Sequence, residues 1–219
     1  MSTANYSNSI QTSAGKMRNE QEKKVSRSRM ITMTAMLSAI ATVLMALSIP
    51  VPLMPPFIKL DFSELPALIA AYTLGPISGV TVCLVKNLVN VLMTQTAGVG
   101  ELCNFLLGVA FVLPAGLIYK KKKTFVGAMI GAVIGCISMA LFSVPINYYL
   151  VYPAYVKIMG YPLDAIIGEY QKINQGVGNL MQALVIFNLP FTFIKGLLNV
   201  IITFLIYKPL TPIIKGFHR

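Results

Sequence analysis

Tryptophan is absent from this 219-residue chain, histidine occurs once, and acidic residues number only seven. Each scarcity excludes a class of chemistry. The single histidine, His218, is the penultimate residue of the sequence. Histidine-based metal sites and Ser–His proteolysis inside a membrane are therefore excluded, because both need imidazole at depth. Two of the acids, Glu20 and Glu22, fall in a polar first stretch, and the others form no carboxylate cluster of the two-metal kind. No Walker A pattern occurs, which excludes nucleotide binding by that route. The three cysteines, Cys83, Cys103 and Cys136, lie singly in apolar segments without a CxxC pair and read as small packing residues. No catalytic set is left, so the chain is not expected to be an enzyme, and any transport must draw on a gradient or on another protein.

Charged residues make up 11% of the chain and hydrophobic residues 56%, so the net charge of +11 does not describe a soluble nucleic-acid binder. The basic residues sit where a membrane protein needs them. Lys16, Arg18, Lys23, Lys24, Arg27 and Arg29 precede the first apolar run; Lys120 to Lys123 follow the fourth; Lys208, Lys215 and Arg219 follow the last. The apolar segments, 30–49, 63–74, 76–93, 102–119, 124–150 and 179–207, predict an all-α bundle of six transmembrane helices. The positive-inside rule places both termini in the cytoplasm. Residues 1–25, rich in Ser and Asn, form a polar and disordered cytoplasmic tail in this reading, without the apolar stretch of a signal peptide. Residues 26–219 form the one membrane domain. Within the outer loop 151–178, a short surface helix is expected.

Two lysines stand inside apolar runs. Lys195 lies in 183–207, which has no other charge before its end and is long enough to cross roughly 30 Å of hydrocarbon. A lysine there costs about 2.5–3.5 kcal/mol unless it faces protein or a watery cavity. Lys86, beside Asn87, repeats the pattern and predicts a structural ion pair with Glu64, Asp61 or Glu101. The second span is the short one: twelve residues reach roughly 18 Å at 1.5 Å per residue, too little to cross alone. Ser63 is the expected N-cap, with Glu64 in the first turn and Pro66 tolerated there. The loop 50–62 must then dip below the outer surface, where irregular backbone survives only against protein or a cavity. Phe57, Lys59, Leu60 and Asp61 thereby become candidate roof or wall residues of an outward-facing pocket.

Asn147 falls near the outer end of span five. Asn188 and Lys195, seven residues apart, share one face of span six, with Thr192 between them, and Pro190 removes a helix donor and loosens the turn before it. Amides offer donor and acceptor together, which suits a planar ligand with an imide edge, and a lysine supplies a point charge to a ring oxygen or nitrogen. Asn87 and Asn104 complete the polar set, and Tyr148, Tyr149, Phe187 and Phe191 are available for stacking. The opposing reading of the asparagines is interhelical hydrogen bonding. Residues 94–101 read as a tight, glycine-rich outer turn. In the first span Ala35 and Ala39, with Ser38 and Thr42 one position off, allow close approach of another helix, inside the bundle or from a partner.

At these residues the chain resembles a known family, the riboflavin-binding S components of energy-coupling-factor vitamin transporters. The blocks that carry the likeness are residues 57–66, 75–88, 96–105 and 188–196, in order over nearly everything after the polar tail. The resemblance implies a small bundle that captures riboflavin, with FMN or close analogues as alternative ligands. It also implies delivery through a transmembrane coupling subunit driven by two cytoplasmic ATPases. Ala35 and Ala39 would match the family's docking motif for the coupling protein, and Asn147, Thr192 and Lys195 the residues that hold the flavin ring. Flavin would be cargo rather than cofactor. Three rivals remain in view: the same architecture tuned to another vitamin or modified base, a small membrane enzyme using Lys195, Lys86 and Asp61, and a carrier driven by a gradient alone.

Overall fold

The computed structural model describes residues 27–94 and 96–215; the polar stretch 1–25 lies outside the described residues. Five helices are long and apolar enough to cross a membrane: Arg27–Ala46, Pro76–Met93, Val99–Lys121, Phe125–Met159 and Leu180–Ile206. In chain order we label α1 (Arg27–Ala46), β1 (Ile49–Pro50), β2 (Lys59–Leu60), α2 (Glu64–Thr73), α3 (Pro76–Asn90), α4 (Val99–Lys121), α5 (Phe125–Ile146), α6 (Tyr152–Met159), α7 (Leu163–Gln171), α8 (Leu180–Ala183) and α9 (Leu189–Lys215).

The short helix predicted at 63–74 is α2, ten residues long, and it is wrapped by protein: Glu64 through Tyr72 are all buried against α3, α4 and α9. A helix hydrophobic on every side must be enclosed in this way. The expected N-cap is corrected. Ser63 occupies the cap position but makes no cap hydrogen bond. Its hydroxyl instead lies between Asp61 Oδ1 and the Lys86 ammonium, because a buried cation needs oxygen partners more than the helix end does.

Around α2, the long helices pack through small residues. A Cβ on Gly131 would lie 2.7 Å from the Ala115 carbonyl oxygen, and one on Gly135 2.4 Å from that of Phe111, so α5 presses on α4 with backbone nearly touching backbone. Lipid tails are as apolar as the side chains they would displace, and close van der Waals approach is what holds such helices together. The outer face of α5, with Ile130, Val133, Ile134, Ile137 and Leu141, remains exposed, as a lipid-facing surface requires.

Two further expectations change. Span five does not stop at 150: the helix continues through a π-turn, Asn147–Val151, into α6. The wider turn accommodates Pro153, which lacks the amide proton that a continuous α-helix would use. Accordingly the stretch 151–178 carries two helices, α6 and α7, rather than one. The same device occurs before Pro190, where Leu184–Asn188 is a π-turn, in keeping with the loosening predicted there. Both π-turns have an asparagine at one end, Asn147 and Asn188.

Candidate binding site

The loop after α1 is folded back by antiparallel pairing of Ile49 with Leu60 and of Pro50 with Lys59. This pairing brings residues 56–61 over a cavity of about 720 Å3, within the roughly 300–1,000 Å3 typical of small-molecule sites. Its wall draws on the 50–62 loop, α4, the α5–α6 junction, α7 and α9.

Eight of the ten residues expected to bind ligand line this one cavity: Phe57, Lys59, Asp61, Asn104, Asn147, Asn188, Thr192 and Lys195. Leu60 and Asn87 do not. Leu60 is held in the β pairing, and the buried Asn87 donates to the Cys83 carbonyl at 2.7 Å, since a buried amide takes the nearest free acceptor. Cys103, read as a packing residue, instead lines the cavity with its sulfur 3.8 Å from Asn147 Oδ1.

Below the cavity lies a charge-balanced core. Lys195 on α9 donates to Asp61 Oδ2 at 2.8 Å and to Asn104 Oδ1 at 3.4 Å, and stands 3.6 Å from Glu64 Oε2. Lys86 on α3 pairs with Glu64 Oε1 at 2.9 Å, with both side chains fully buried. Two cations and two carboxylates thus neutralise one another at depth, an arrangement in which such burial is tolerated. Burial opposes ionisation of Asp61, but Lys195 and then Lys86 outweigh it and hold the carboxyl well below the usual carboxylate range. Lys86 therefore has the structural role expected of it, with Glu64 as the partner among the three candidates. Asn199, one turn beyond Lys195, donates to the Lys195 carbonyl at 2.9 Å and to that of Asp61 at 3.5 Å. The sequence reading passed over Asn199 and Thr203, although their spacing continues the polar face that starts at Asn188.

Above the polar floor sits an aromatic roof: Phe57 was expected there, whereas the three tyrosines it meets were missed. Phe57 meets Tyr152, Tyr155 and Tyr170 edge-on, with centroids 6.2–6.4 Å apart. The Tyr152 and Tyr170 hydroxyls are 2.5 Å apart, and Tyr170 donates to Asn188 Oδ1 at 2.7 Å. Of the aromatics named from sequence, Phe191 lines the cavity, whereas Phe187 packs on Tyr170 and Tyr148 packs on Tyr149. Asn147 donates to the Ser143 carbonyl at 2.7 Å, and among the described residues its carbonyl oxygen has only the long Cys103 contact. The result is a cavity whose lining mixes amides and an ammonium with aromatic rings, suited to holding a flat, polar-edged molecule by shape and hydrogen bonding.

These features define a multi-pass, mostly helical membrane protein with an internal small-molecule cavity. The family described as "ECF transporter, substrate-specific component" matches residues 29–207. The chain belongs to that family. It is 36% identical over 187 residues to the riboflavin transporter RibU of Staphylococcus aureus, covering 85% of this chain and 92% of that protein. It is 33% identical over 185 residues to the riboflavin transporter FmnP of Bacillus subtilis, covering 83% and 92%. A solved structure of the S component of a bacterial ECF transporter superposes with a TM-score of 0.69 at 34% identity, covering 86% of this chain and 99% of that one.

Proposed function

We propose that this chain captures riboflavin from outside the cell and hands it to an ATP-driven energy-coupling module. One observation carries the reading: the cavity brings Asn147, Asn188, Thr192 and Lys195 together beneath an aromatic roof. Two amides and an ammonium match the carbonyls and imide N–H of an isoalloxazine edge, and the aromatic rings of the lining match its flat body. Relatives that are riboflavin transporters over most of their length support the same ligand.

In this proposal α2 counts as the sixth membrane helix, both termini face the cytoplasm, and the cavity opens outward under the 50–62 loop. The clusters at 16–29, 120–123 and 208–219 then share the cytoplasmic side. Residues 1–25 act as a separate polar tail beside one binding domain. A transmembrane coupling subunit and two ATPases supply the energy, and α1 is the docking helix. Ala35 and Ala39 are exposed on α1, whereas Thr34, Ser38 and Ala41 are buried on the neighbouring face. That division leaves the small outward pair free for a partner helix.

Titrating the detergent-solubilised protein with riboflavin tests the ligand. We expect saturable quenching of flavin fluorescence at one flavin per chain. Absence of saturable binding by the folded protein refutes the assignment.

A further inference from the structure

Tyr170 lies on α7 and does not line the cavity, and none of its surface is exposed. Its hydroxyl proton goes to Asn188 Oδ1 at 2.7 Å. A phenol has one proton to give, so the 2.5 Å contact between the two hydroxyls is a donation from Tyr152 to Tyr170. Asn188 Nδ2 in turn faces the Tyr152 oxygen at 3.5 Å. The three groups close a ring in which each donates once and accepts once. Asn188 is left with one N–H and one carbonyl lone pair, and it lines the cavity.

Packing holds this ring rigid. Phe57 stands edge-on to Tyr170 at 6.2 Å, and Phe187 tilts against it at 5.5 Å. The π-turn Leu184–Asn188 fixes the backbone that presents the amide. An amide that meets a ligand is useful only if its plane and direction are set beforehand by groups behind it.

We propose that Tyr170 is a positioning residue for the binding site: acting through Asn188, it fixes the amide that meets the polar edge of the flavin, and so makes the outer helix α7 part of the recognition apparatus without touching ligand. This rests on the riboflavin reading above.

The test is a cycle of four proteins: wild type, Tyr170→Phe, Asn188→Ala and the double variant. Riboflavin affinity is read by fluorescence quenching and the bound flavin's carbonyl stretches by Raman spectroscopy. Loss of one hydrogen bond that orients a ligand contact predicts about tenfold weaker binding for Tyr170→Phe. The bound carbonyl bands should shift, and the double variant should bind no more weakly than Asn188→Ala alone. Val177→Ala, a buried change in the same apolar cluster, serves as the packing control: it should lower the melting temperature and leave the carbonyl bands in place. If Tyr170→Phe does not fold, Tyr152→Phe breaks the same ring; because Tyr152 itself lines the cavity, it is judged by its coupling to Asn188→Ala, where independent losses overturn the proposal, and not by its affinity alone. Losses that multiply in the double variant, or a single variant that binds like wild type with unshifted bands, overturn the proposal. A wild-type protein that binds no riboflavin removes the parent reading as well, which separates the two failures.

Discussion

The seam between α4 and α5 and the core between α2, α3 and α9 solve the same problem in opposite ways. At the seam, Gly131 and Gly135 bring α5 onto the carbonyls of Ala115 and Phe111, and cohesion comes from contact alone. The other core is held by charge, with Asp61, Glu64, Lys86 and Lys195 matched two against two beside the cavity. Contact alone is sufficient where nothing must enter. Buried charge is costly, and here it lies under the one place where a polar ligand is expected. The charged core also ties the 50–62 loop to the last helix through Asp61, so the cavity's roof and floor share one network.

This contrast can be broken in order of expected size. Glu64→Gln leaves two buried ammonium groups against the single carboxylate of Asp61 and should destabilise the protein by about 3–5 kcal/mol, as for other buried pairs that lose one partner. The paired change Glu64→Leu with Lys86→Met should recover most of that loss. A single variant with unchanged detergent melting temperature would show that the quartet is not a cohesive unit. Gly135→Val drives a side chain into the Phe111 carbonyl and should cost about 1–3 kcal/mol by overpacking, while leaving riboflavin affinity of the surviving folded fraction unchanged.

Asn147→Ala inverts that pattern. It removes an amide beside the cavity whose oxygen has, among the described residues, only a weak sulfur partner, so binding should weaken about tenfold with little change in melting temperature. Equal binding by this variant would remove Asn147 from the site. The smallest effect on the isolated protein belongs to Ala35→Trp on the exposed side of α1. Riboflavin binding and stability should match wild type, while uptake by cells carrying the full transporter stops. Normal uptake would contradict the docking assignment.

How much of this was legible beforehand depends on whether the cause was local. Lys86 and Lys195 stand out in apolar runs because lipid exacts a cost that a short window of sequence reveals. The shortness of α2 could be counted in the sequence, though not its enclosure, and the loosened turn before Pro190 followed from the missing amide proton. What escaped was whatever depends on placement. The tyrosines of α6 and α7 looked like loop residues until the helix carried through the Asn147–Val151 π-turn and set Tyr152 on the cavity, with Tyr170 of α7 behind it. Ser63 has the sequence features of a helix cap, and only the position of Lys86 on another helix diverts it. Asn199 and Thr203 are a different case, since their spacing with Lys195 was visible and the polar face simply ran further than it was followed.

The most direct test of the account is a structure of the riboflavin-loaded protein. We expect the flavin's carbonyl and imide edge to lie within hydrogen-bond distance of Asn147 and of at least one of Asn188, Thr192 and Lys195, with its rings under Phe57 and Tyr152. A flavin bound elsewhere, or one that turns its methylated edge toward those residues, would contradict it.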